Sequence, residues 1–151
     1  MLDQTDKKLL NLLQTDATMT HKQLAAELNL TVTPVFERIK KLKKSGVIEA
    51  IQAKVNRQSI GKSVMVFCEV SVLSHSRENL SKFEKEIGKL KEVIECFHVS
   101  GNHDYILKVV ESSMDNYREF LINKLSKIEG VGNVNSTFVM HELKQKNYFE
   151  L

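Results

Sequence analysis

Between Cys96 and Asp104 the chain "CFHVSGNHD" sets a thiol, two imidazoles, a hydroxyl and a carboxylate within nine residues. Thiolate, imidazole and carboxylate are all metal ligands, so Cys96, His98, His103 and Asp104 invite a metal-sensing reading. Their spacing matches no strong zinc motif. Ser100 with His98 and Asp104 has the composition of a hydrolytic triad. Strand alternation puts His98 and Ser100 on one face, but no oxyanion hole accompanies them. A second stretch, "TVTPVFERIKKLKKSG" from Thr31 to Gly46, offers another chemistry: cationic side chains repeated along one face, suited to a polyanion.

The elements that must position these groups follow from composition and periodicity. The 151 residues are 42% hydrophobic and 27% charged, enough for one ordinary core or two small ones. No apolar run reaches the length of a membrane span, and the first residues lack a signal-peptide pattern, so a cytoplasmic location with no membrane partner is expected. Two cysteines are too few for a disulfide framework, and each is expected to be a small buried hydrophobe. Residues 1–60 hold 10 Lys and Arg against 6 Asp and Glu, whereas residues 61–151 hold 12 against 13. The positive surplus therefore belongs to the first part.

In residues 1–60, Leu9, Leu10 and Leu13 follow an acidic first turn and predict a helix ending near Asp16. Thr20 to Gln23 reads as a capping box, and Leu24, Ala25 and Leu28 give a short second helix. Asn29 suits the left-handed turn that stops it. Thr31 or Thr33 then caps a third helix, with Pro34 in its first turn. Val32, Val35, Phe36, Ile39 and Leu42 gather on one third of that helix, and Thr33, Pro34, Glu37, Arg38, Lys40, Lys41 and Lys44 lie opposite. Two helices joined by a tight turn, the second with a cationic face, form a helix-turn-helix whose second helix enters the major groove of double-stranded DNA. Thr31, Val32, Thr33 and Val35 are expected against base edges, Arg38 bridging base and phosphate, and Lys40, Lys41 and Lys44 on phosphates. The plain alternative is an amphipathic surface helix.

A polar stretch at residues 55–62 predicts a linker between a DNA-binding domain at 1–54 and a second domain at 63–151. Strands are expected at Val64–Val72, Val93–Val99, Tyr105–Val110 and about Val134–Glu142. One helix carries Leu80, Phe83, Ile87 and Leu90, and another runs through Tyr117, Leu121, Leu125 and Ile128 to Gly130. The order βαββαβ predicts an α+β, ferredoxin-like sandwich with both helices on one sheet face. The first strand is apolar on both faces, so the uncovered face calls for a second copy of the chain.

The segments "LDQTDKKLLNLLQ", "LAAELNLTVTPVFERIKKLKKSGVI" and "GNHDYIL" resemble the leucine-responsive and asparagine-responsive (Lrp/AsnC, feast/famine) regulators of bacteria and archaea. The resemblance implies a winged-helix-like DNA-binding domain and an amino-acid-binding βαββαβ domain. It also implies dimers stacked into tetramers or octamers, with an amino-acid effector bound between dimers beside the G-x-x-D-Y turn and no other cofactor. A free amino acid presents an ammonium, which Asp104 could receive, and a carboxylate, which the backbone at Gly101, Asn102 and His103 could receive. Asp104 could equally be a turn-capping aspartate. His103 could touch ligand, tune the site by protonation or stay solvated. By resemblance Tyr105, Met114, Thr137, Phe138 and Val139 complete the effector site. The other readings are an architectural DNA-binding protein without effector, a metal sensor, and an enzyme, for which no catalytic constellation is found.

Overall fold

The computed structural model describes residues 2–145 and 148–151. They form two compact units, Met1–Lys54 with Leu143–Leu151, and Val55–Glu142. Leu143–Leu151 thus group with the N-terminal helices, a difference from the expected second domain at 63–151.

The first unit contains α1 (Gln4–Thr15), α2 (His21–Leu28) and α3 (Val32–Lys44). Asp3 caps α1 by accepting the Asp6 N–H at 2.7 Å, and its own N–H donates to the Asp6 carboxylate at 3.3 Å. Thr20 and Gln23 make the same reciprocal box at the start of α2. Asn29 stops α2 with φ 52° and ψ 45°, the left-handed conformation asparagine tolerates. Only Leu30 and Thr31 then separate it from α3. Thr31 holds the capping position of α3 but makes no side-chain capping bond, contrary to the expected hydroxyl cap. Leu9, Leu10, Leu24, Ala25, Val35, Ile39 and Leu42 fill the core between the three helices. Each fully buried leucine contributes about 2 kcal/mol.

The tail returns to α1 through paired amides. The Gln14 side chain donates to the Phe149 carbonyl at 2.9 Å and accepts the Phe149 N–H at 2.8 Å. One helical step away, Asn11 makes the same pair with Leu151, at 3.3 Å in both directions. Positions three apart on a helix face alternate residues of an extended strand, so the match is geometric.

The second unit contains β1 (Val64–Val72), α4 (Arg77–Ile87), β2 (Val93–His98), β3 (Tyr105–Glu111), α5 (Met114–Asn123), a 3-10 turn (Leu125–Lys127) and β4 (Val131–Phe138). The sheet order is β2-β3-β1-β4, antiparallel throughout. Val66, Cys68, Val70 and Val72 of β1 pack with Phe83 and Ile87 of α4 and with Tyr117 and Phe120 of α5. Met65, Phe67, Glu69 and Ser71 alternate onto the opposite face. Phe67 pairs there with Lys108 and Thr137, so that face mixes charge with apolar groups.

Two expected boundaries differ. The helix carrying Tyr117 ends at Asn123, and Leu125 is reached through a 3-10 turn. Leu125 and Ile128 are three residues apart, a spacing that a 3-10 turn aligns on one side. β4 begins at Val131 and stops at Phe138, earlier at both ends than the β-branched run predicted. Among the described residues no strand lies between α3 and β1.

Candidate functional site

On the first unit the site residues are carried by α3, which is anchored by Val35, Ile39 and Leu42. Val35 is fully buried, so its expected contact with a base is corrected: it is a core residue. Thr31, Val32, Thr33, Lys40, Lys41 and Lys44 are all exposed. Among the described residues, none of those three lysines has an ion-pair partner. Lys41 and Lys44 also lie in the last helical turn, where cations favour the helix dipole.

Arg38 is placed differently from the expectation. Its Nη1 lies 2.6 Å from Asp3 Oδ2 and 2.6 Å from Asp6 Oδ1. The hydrogen bonds to Asp3 and then Asp6 raise the guanidinium further above its ordinary range. Asp3 is held below the usual carboxylate range, first by the Asp6 N–H and then by Arg38. Reaching a base or phosphate would require Arg38 to leave two carboxylates. Phe36, assigned by periodicity to the apolar side, is 46% exposed and meets the His21 ring edge-on at 5.6 Å.

On the second unit, β2 and β3 are joined by the Gly101–Asp104 turn. Gly101 has φ 135°, a conformation that side chains disfavour, so glycine is required there. The turn is tied to β1: the Asp104 N–H donates to the Val70 carbonyl at 3.0 Å, and the Val99 N–H to the Asp104 carbonyl at 2.9 Å. Asp104 Oδ2 accepts the Val72 N–H at 2.8 Å, and Oδ1 lies 2.6 Å from His75 Nε2. The Val72 N–H, then His75, hold this carboxyl below its ordinary range. His103 Nε2 lies 3.2 Å from Glu69 Oε2, which also accepts from Asn135 at 2.9 Å. His103 Nδ1 lies 3.4 Å from Ser71 Oγ.

Tyr105 is buried between the Phe83 and His98 rings, and its hydroxyl donates to Glu84 at 2.9 Å. Burial, then Glu84, pushes its hydroxyl far above the ordinary range, so it stays protonated. Its assignment as an effector contact is corrected: it supports the turn from beneath. Cys96 is exposed rather than buried, unlike Cys68, which contacts the Tyr117 hydroxyl at 3.0 Å.

The remaining candidates do not join the turn within one copy. Val70 pairs with Tyr105 at the turn end of the sheet, whereas Val64 pairs with Glu111 at the other. Six residues of strand span about 20 Å. Met114 opens α5 just beyond Glu111 and is 53% exposed. Phe138 pairs with Val66, and the Val139 N–H donates to the Met65 carbonyl, again towards the far end. Thr137 is exposed on the open face, whereas Phe138 turns to the helix side and meets Tyr117 at 5.3 Å. Gly101, Asn102, His103 and Asp104 therefore form one group, and Met114, Thr137 and Val139 lie away from it along the sheet. Sequence reasoning missed His75, Glu69 and Ser71. The spacing of Glu69 and Ser71 on one strand face would have linked that pair, but His75 sits in a loop with no periodic signal.

Comparison with known proteins decides what this pairing of modules belongs to. Residues 65–149 match the Lrp/AsnC ligand binding domain, and residues 2–49 match a winged helix-turn-helix DNA-binding domain. The chain belongs to the Lrp/AsnC family. It is 34% identical over 146 residues to the leucine-responsive regulatory protein of Escherichia coli K12, covering 97% of this chain and 89% of that one. An AsnC family transcriptional regulator from Agrobacterium tumefaciens superposes with TM-score 0.92 at 33% identity, covering 98% and 96% of the two chains. A transcriptional regulator from Neisseria meningitidis, solved as its L-Met complex, gives TM-score 0.91 at 28% identity, covering 97% and 95%. This Lrp/AsnC chain is thus a DNA-binding transcription regulator and not an enzyme.

Proposed function

We propose that α3 docks in the major groove with Thr31, Val32 and Thr33 towards the bases and Lys40, Lys41 and Lys44 on phosphates. Arg38 is here a positioning residue that fixes α3 against α1. The observation that carries this reading is the row of exposed lysines, without acidic partners among the described residues, on a helix whose other side is locked in the core. Phosphate neutralisation supplies affinity and salt dependence, whereas the hydroxyls and the Val32 methyls supply sequence readout.

The effector is a free amino acid, and its ammonium is received at Asp104 while the Gly101–His103 backbone faces its carboxylate. The Neisseria relative bound to L-Met supports the ligand class. Because Met114 and Val139 lie towards the far end of the sheet and Thr137 sits midway along it, they complete that site only if a second copy brings this part of its sheet to the turn. Self-assembly through the open sheet face fits Phe67 and the exposed Phe97. Coupling between effector and DNA then arises from different effector affinities of the assemblies, typically ~1–3 kcal/mol. Titrating the whole protein with duplex DNA, with and without each common L-amino acid, tests both parts. A response to one of them supports the reading, and indifference to all of them removes the effector half.

A further inference from the structure

The carboxylate assigned to the effector's ammonium already has a resident partner. Asp104 Oδ2 is committed to the Val72 N–H, and Oδ1 faces His75 Nε2 at 2.6 Å. The two side chains differ sharply in exposure, 19% for Asp104 and 68% for His75. The carboxylate is fixed by the strand, while the imidazole stands mostly in water on the β1–α4 loop and can leave without opening the core. The turn itself is held by main-chain bonds from Asp104 to Val70 and from Val99 to Asp104, so it survives the departure of His75.

We propose that His75 is an internal competitor for the effector's ammonium: its ring occupies the Asp104 oxygen that the ammonium takes, and the effector binds by displacing it. The proposal rests on the reading that Asp104 receives the ammonium. Imidazole changes charge in the range where an amino acid's ammonium does not. A protonated imidazole holds Asp104 by a charge-assisted bond, whereas a neutral one makes a weaker bond that the ammonium displaces more easily. Effector affinity therefore rises with pH.

Other charged groups border this site. Glu69 of β1 faces His103 of the turn, and His98 of β2 acts on Asp104 at longer range. Glu84 of α4 is engaged by the Tyr105 hydroxyl. His98 and His103 are also imidazoles near this carboxylate, so the test separates them from His75.

The experiment is isothermal titration of the full-length protein with each common L-amino acid, followed by Kd measurement for the binder from about pH 5.5 to about pH 8. An exposed pair of this kind predicts a Kd about two- to fivefold lower at the alkaline end. His75→Ala should bind tightly at both ends with the slope gone, and His75→Lys, a permanent cation, should bind weakly at both. A slope that persists in His75→Ala belongs to His98 or His103 and overturns the proposal, as does unchanged acidic affinity in that variant. Asp104→Asn keeps an acceptor for Val72 but loses the charge. If it binds as tightly as the parent, the ammonium reading fails first and this inference with it, and absence of binding by every amino acid has the same consequence.

Discussion

Arg38 Nη1 on α3 and Asp6 Oδ1 on α1 lie 2.6 Å apart, and the Asp6 side chain is only 4% exposed. Removing the arginine strands a nearly buried carboxylate, which is the costly half of any ion-pair deletion. Arg38→Ala should destabilise the helical unit by about 2–3 kcal/mol. Pairing Arg38→Met with Asp6→Leu should restore part of that loss, since the buried carboxylate leaves with its partner while the exposed Asp3 stays solvated and half of the α1 capping box is lost. Urea unfolding of the three proteins gives the energies, and DNA affinity measured on the double variant isolates any direct contact. Full recovery of DNA binding fits the positioning role, and failure to recover despite a restored fold fits a contact with DNA.

The tail offers a separate test. Gln14→Leu removes both halves of the amide pair with Phe149 while keeping the side chain's bulk. Exposed hydrogen bonds each contribute about 0.5–1.5 kcal/mol. Exchange of the Phe149 amide hydrogen should accelerate about tenfold in that variant, with the exchange of Leu24 unchanged. Equal Phe149 exchange in parent and variant would mean that the pairing is not formed in solution.

The depressed Asp104 carboxyl fixes a sign. A carboxyl whose folded value lies below its unfolded one stabilises the fold above the unfolded value, and that contribution disappears as pH falls through the folded value. Asp104→Asn should therefore lower the unfolding midpoint at neutral pH, with the deficit shrinking as the pH falls through the folded value of the parent's carboxyl. Urea titrations along a descending pH series check this, and a loss that stays constant with pH would assign the effect to packing instead of charge.

What the sequence made legible was what is local. Thr20 and Gln23 sit three residues apart, and Asn29 stops α2 by its own backbone preference, so both could be read without the rest of the chain. The βαββαβ order followed from a period that switches between two and 3.6 residues. The pairing of Arg38 with Asp6 and Asp3 was not legible because those partners lie 32 and 35 positions away, and cationic periodicity looks the same whether the charge faces DNA or an aspartate. Val35 and Val32 are chemically identical, and only the packing of α1 and α2 decides that one is buried and the other 45% exposed. The separation of Met114 from Asp104 along the sheet is a matter of strand register, which no single segment encodes.

The salt dependence of DNA binding tests the central claim most directly. With Lys40, Lys41 and Lys44 each on a phosphate, the slope of log affinity against log salt should become shallower by about 0.9 for every lysine replaced by alanine. The triple variant should therefore lose between two and three from the slope, roughly, with its helices still folded. A triple variant that retains the parent's slope and affinity would contradict the placement of α3 on DNA.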